Sequence, residues 1–149
     1  MSQAAAPPGL LTASLGDIAR TLRADPRGAA QQAREYLRRF PGQREALRLL
    51  IAGRRLMGNA ESARTLLQTL AKSQPELATL HYELGLLSRE FDDAPGAAAA
   101  FARVTELEPL HEEAWRALGD VLADMGRQAE AASAYARHLD AWSTRAAKA

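Results

Sequence analysis

The residues best suited to chemistry are His81, His111 and His138, the acid pairs Asp92/Asp93 and Glu106/Glu108, and the run His111-Glu112-Glu113. A zinc hydrolase site needs two histidines four apart on one helical face, as in HExxH. Here the histidines stand in separate segments, and His111 is followed directly by its acids, so no metal-ligand spacing results. Acid–base catalysis needs two carboxylates converging on one bond. Asp92/Asp93 and Glu106/Glu108 read instead as helix caps and surface acids beside loops. The chain has no P-loop, no GxGxxG and no GxSxG. Its zero cysteines exclude disulfides and thiolate chemistry. No catalytic residue, metal ligand or cofactor is expected, and the chain reads as a non-enzyme.

The elements that position these side chains follow from a period. Pro41, Pro75 and Pro109 stand 34 residues apart, each closing one apolar helical segment and opening the next. A period of this length marks units that cannot bury their apolar faces alone and therefore stack. Counting from the prolines gives blocks from Leu10, Arg44, Ala78 and Glu112, with a fifth due at about 146. Within the first, Leu11, Leu15, Ile18 and Leu22 keep helical spacing, and Asp25-Pro26 supplies an N-cap and an N1 proline for a second helix. Gly58 ends a helix and Asn59 caps the next; Asp93 and Pro95 restart the third pair, and Gly126 divides the fourth. No run of alternating β-branched residues competes, so the fold class is all-α.

At 149 residues and 47% hydrophobic content, the chain can bury one continuous core, although much of that content is alanine and suits close helix packing. Residues 1–9 lack a basic and an apolar signal-peptide region and read as a flexible tail. Residues 10–145 form the array and 146–149 a C-terminal tail. No apolar run approaches a membrane span. A cytoplasmic location is the default in the absence of an export signal.

The clearest block carries Trp115, Leu118, Gly119, Leu122, Gly126, Ala131 and Tyr135; one repeat earlier stand His81, Leu84, Gly85, Ser88, Asp92, Ala97 and Phe101. These types at these offsets resemble the tetratricopeptide repeat, whose unit is a helix pair. The match is uneven: Ile51 and Arg54 replace the small and bulky residues of the second block, and Asp17 and Arg20 depart from the pattern in the first. The resemblance implies a right-handed α-solenoid of about four helix-turn-helix repeats, or about eight helices. Gly85, Gly119, Ala97 and Ala131 would let helices approach, Phe101 and Tyr135 would fill space between units, and His81 would pack where tryptophan is usual.

The same resemblance implies that the first helix of each pair lines a concave groove. Its equivalent positions hold Arg48, Tyr82 and Arg116 in one row and Arg55, Arg89 and Ala123 in another, with Asp120 alongside. Such rows suit a protein or peptide partner bearing carboxylates. Glu45, Glu83, Glu113 and Asp120 on that side keep the groove from being purely cationic, and a salt-bridged surface without a ligand stays an alternative. Chaperone-binding members clamp a C-terminal carboxylate with Lys, Asn, Asn, Lys and Arg. Those places here read Arg48, Ala52, Glu83, Glu113 and Ala117, so that mode is not expected.

The net charge of +1 conceals an asymmetry, +7 over residues 1–75 and −6 over residues 76–149, which could steer a partner or favour self-association. Arg34, Arg38, Arg39, Arg44 and Arg48 cluster in the basic half. Only Tyr36 and Phe40 could stack on bases there, and both fall on positions expected to pack, which weighs against nucleic acid. At the other end, Ala129, Ala132, Tyr135, Leu139 and Trp142 make an apolar stripe with little sequence after it. Tyr135, Leu139 and Trp142 are therefore a candidate face for a homodimer. Alternatively the stripe is covered by its own partner helix, or the protein continues. The stretch Ala114–Leu139 is also similar to the N-terminal arrays of bacterial tetratricopeptide-containing sulfotransferases. That implies a recruiting or regulatory region ahead of a catalytic domain whose donor-binding motifs these residues lack.

Overall fold

The computed structural model describes residues 13–148. Among them are eight helices and no strand: α1 Leu15–Thr21, α2 Pro26–Arg39, α3 Arg44–Leu56, α4 Ala60–Ser73, α5 Ala78–Glu90, α6 Ala94–Leu107, α7 Glu112–Asp124 and α8 Gln128–Ala147. The first helices α3, α5 and α7 start 34 residues apart, as do the second helices α2, α4, α6 and α8. Leu10, Leu11 and the expected N-terminal tail lie outside the described residues.

Local chemistry fixes these bounds. Asp25 caps α2 by accepting from the Gly28 backbone at 2.9 Å, and Asp93 caps α6 by accepting from the Gly96 backbone at 3.0 Å; each cap contributes about 1 kcal/mol. At the fourth equivalent place Arg127 has no capping oxygen and instead grips Glu130 with two hydrogen bonds of 2.8 and 2.6 Å. Gly58, Asp92 and Gly126 share one repeat position and all adopt positive φ, at 74°, 55° and 77°. The turn requires the left-handed region there, which glycine enters freely and aspartate tolerates better than most residues. The departures in the first block also have a role: Asp17 closes a capping box with Ser14 and pairs with Arg20.

The chain divides into two compact units, Met1–Leu66 and Leu67–Ala149. In the first, α2 packs on α3 and α1 touches both. Ile18, Ala29, Ala33, Ala46 and Leu47 are fully buried. Gly53 allows the α2–α3 approach, because a Cβ there would lie 2.9 Å from the Pro26 carbonyl oxygen. In the second unit α5 packs on α6, α6 on α7 and α7 on α8, around Tyr82, Phe101, Val104, Leu118 and Val121.

Two aromatic residues sit differently from the expectation. Phe101 and Tyr135 insert first within their own helix pairs: a Cβ on Gly85 would meet the Phe101 ring at 2.6 Å, and one on Gly119 the Tyr135 ring at 2.6 Å. The glycines are thus the floors of ring-shaped notches, and the aromatic residues lock each pair. α8 also departs from the period. Ser143 occupies the place of Pro41, Pro75 and Pro109, so nothing breaks the helix and it runs through Ala147. The tail expected from residue 146 begins as helix.

Candidate functional site

The positions expected to meet a partner fall in both units. In the first, α3 carries Arg48 and Arg55, both exposed. In the second, α5 carries Tyr82 and Arg89, and α7 carries Arg116, Asp120 and Ala123. Arg89 and Arg116 are exposed, and Asp120 and Ala123 are half-buried. Residues seven apart on one helix share a face two turns apart, roughly 10 Å, so Tyr82 with Arg89 and Arg116 with Ala123 form aligned pairs along α5 and α7.

Tyr82 is more deeply set than a groove contact needs. It is 8% exposed, its ring lies 5.7 Å from Phe101 and 5.1 Å from His111, and its hydroxyl donates to Glu113 on α7 at 3.4 Å. It therefore ties α5 to α7. Glu83, counted among the groove acids, is 4% exposed and belongs to the interior.

Asp120 joins the groove positions to those of the α8 stripe. It accepts a hydrogen bond from the Tyr135 hydroxyl at 2.6 Å. That bond, then burial, then the Asp120 and Asp124 charges hold the Tyr135 hydroxyl above the ordinary tyrosine value, while Arg116 opposes the shift. Arg116, Asp120 and Tyr135 are thus one electrostatic cluster on the α7–α8 pair. Tyr135 is half-buried in it, whereas Leu139 and Trp142 are 62% and 58% exposed. The structure separates the three residues of the proposed self-association face: one locks a helix pair and two face outward.

The histidines are structural. His111 caps α7, its Nδ1 accepting from the Ala114 backbone at 3.1 Å. His138 Nδ1 lies 2.8 Å from the Glu112 carbonyl oxygen. His81 Nε2 lies 3.0 Å from the Pro75 carbonyl oxygen, the contact that the Trp115 indole N–H makes to Pro109 at 2.8 Å one repeat later. His81 thus substitutes for tryptophan as the donor that pins the inter-repeat turn, which requires a proton on Nε2. Among the described residues no group of three or more His, Cys, Asp or Glu could hold a metal ion, and no helix is long and apolar enough to cross a membrane.

In the basic half, Tyr36 and Phe40 pair with ring centroids 5.0 Å apart, and Phe40 is 51% exposed where a packed position was expected, because it lies just past the end of α2. Sequence reasoning also overlooked a set around His81: Lys72 and Arg103 line a cavity beside it. The signal was available in the small imidazole at a place built for an indole.

Comparison with known proteins agrees with this geometry. The tetratricopeptide repeat family model matches residues 57–104 and 89–146. No curated protein matches the chain. Among solved structures, it is similar to a crystal structure of MamA, with 17% identity and a TM-score of 0.66 over 89% of this chain and 88% of that one. It is also similar to TTC0263, a thermophilic TPR protein in Thermus thermophilus, with 22% identity and a TM-score of 0.60 over 85% of this chain and 71% of that one. At such identities the likeness concerns the fold, which is all-α and of the tetratricopeptide solenoid class. With the 34-residue period, the aromatic-on-glycine locks and a family match over more than half of its length, the chain belongs to the tetratricopeptide repeat family.

Proposed function

We propose that this protein is an interaction scaffold that holds a partner peptide or protein against the first helices of its repeats. The contacts are Arg48 and Arg55 on α3, Tyr82 and Arg89 on α5, and Arg116 and Asp120 on α7. One observation carries the reading: α5 and α7 expose Arg89 and Arg116 while the neighbouring Tyr82 and Asp120 are held in place by hydrogen bonds to Glu113 and Tyr135. The exposed guanidinium forks of Arg89 and Arg116 suit carboxylates, which arginine binds in bidentate fashion, while the fixed Asp120 carboxylate offers an acceptor to a donor on the partner. The partner is therefore an acidic segment, in a cytoplasmic setting. A chaperone-type tail is not the occupant, since Ala52, Glu83 and Ala117 stand where the clamp needs donors.

Capture on an array of acidic peptides tests this assignment. Arg48→Glu combined with Arg116→Glu abolishes capture while circular dichroism stays helical; capture at the parental level would remove these residues from the interface. A second reading rests on the exposure of Leu139 and Trp142. Those two, with Tyr135, are a self-association face for a second copy of this chain. The finer reading of a recruiting region ahead of a sulfotransferase domain rests on the Ala114–Leu139 stretch alone.

A further inference from the structure

A cavity of about 450 Å³ opens in the second unit, where the C-terminal part of α4 meets α5 and α6. Its floor is apolar, from Ala71, Leu84 and Ala100, and the two charged side chains lining it, Lys72 and Arg103, are both basic, with His81 also in the lining. This size falls within the range of small-ligand sites, roughly 300–1,000 Å³.

The next repeat shows what fills this space. Thirty-four residues on, His81 becomes Trp115 and Arg103 becomes Arg137, and the Arg137 guanidinium carbon lies 5.3 Å from the centroid of the Trp115 ring. An indole stacked on a guanidinium thus occupies the equivalent position. In the earlier repeat the imidazole keeps the bond to the Pro75 carbonyl, to which Arg103 also donates at 3.4 Å, and it has no second ring to lie under the guanidinium. Gly96 and Ala99, where the later repeat has Glu130 and Ser133, widen the opening further. Arg103 remains at the mouth, bonded to Glu106 at 3.0 Å and near Glu76 at 3.6 Å. Both acids are largely exposed, at 66% and 79% of their side-chain surfaces, so these pairs are weak and exchangeable.

We infer that this cavity is a binding site for a planar aromatic group carrying a carboxylate. The ring takes the place that the Trp115 indole fills one repeat later, beneath Arg103, and the carboxylate meets Arg103 and Lys72. A free aromatic acid and an aromatic side chain flanked by acids in a partner peptide share this chemistry. Neither Arg89 nor Arg116 lines this cavity, so the site is tested independently of the groove.

Titration of the full chain with indole-3-acetate and, separately, with a capped Glu-Trp-Glu peptide, followed by NMR shifts, tests the site. We expect saturable shifts at Leu84, Ala99 and Ala100 with at least one probe, and the identity of that probe distinguishes a small-molecule source from a peptide source. His81→Trp supplies the indole internally and weakens binding at least tenfold. Arg103→Gln with Lys72→Gln, both at the rim, weakens it likewise without touching the floor. No saturable shift with either probe up to millimolar concentration would overturn the inference, as would binding that survives both variants.

Discussion

Tyr135 shows at the scale of one residue how a repeat-type side chain acquires a second task. Its ring seals the notch over Gly119, and its hydroxyl donates to Asp120. Ionising the phenol would lose that bond and set a phenolate against a carboxylate, which is why its pKa is raised above the ordinary tyrosine value. A group with a raised folded-state pKa stabilises the fold fully below the unfolded value and loses that contribution as pH rises through the folded value. Alkaline titration by tyrosinate absorbance should therefore show a late-titrating fraction that moves toward lower pH in Asp120→Asn. An unchanged titration would mean that the bond does not control Tyr135. The aromatic residue and the small residue beneath it were legible in the sequence as types. The hydroxyl's partner was not, because Asp120 lies on a separate helix and no local spacing joins 120 to 135. The same reasoning applies to His81: its packing role was readable, whereas the cavity beside it depends on the shape an absent second ring leaves behind.

At the scale of elements, the period fixed most of what the structure contains. The starts of α3, α5 and α7 follow from three prolines, and the turns at Gly58, Asp92 and Gly126 from one left-handed position. The length of α8 follows from a missing proline, which a search for similarity between repeats passes over. The longer helix leaves a stripe whose exposure has a simple cause. α7 packs on α6, and Ala98 and Thr105 of α6 are 8% and 7% exposed; their counterparts Ala132 and Leu139 on α8 are exposed. Leu139, Trp142 and Ala146 are exposed at spacings of three and four, so two antiparallel copies would set Leu139 against Trp142, while Tyr135 stays turned toward Gly119. A single helix pair buries less than the roughly 1,600 Å² of a standard interface, so a dimer of the proposed kind would be weak and concentration-dependent. Sedimentation equilibrium is expected to show mass rising from 16.1 kDa toward twice that value at high concentration, and Leu139→Glu with Trp142→Glu to hold it at the monomer. A parental chain that stays monomeric throughout would exclude α8 pairing.

For the molecule as a whole, function resides in surfaces: repeat proteins keep their interior locks and change partners through exposed side chains. The interior was accordingly easier to read than the site. Glycine notches, caps and alanine faces obey rules that recur every 34 residues, whereas Arg89 and Arg116 are exposed residues that a solvated face would also carry. The charge asymmetry between the halves, +7 against −6, specifies no contact. Arginine-directed labelling with phenylglyoxal, read by mass spectrometry with and without a captured acidic peptide, tests whether Arg89 and Arg116 meet the partner. Arg89 and Arg116 should become protected while Arg127, engaged with Glu130 at the start of α8, labels at its original rate. Equal labelling of Arg89 and Arg116 in the free and bound protein would show that the partner sits elsewhere.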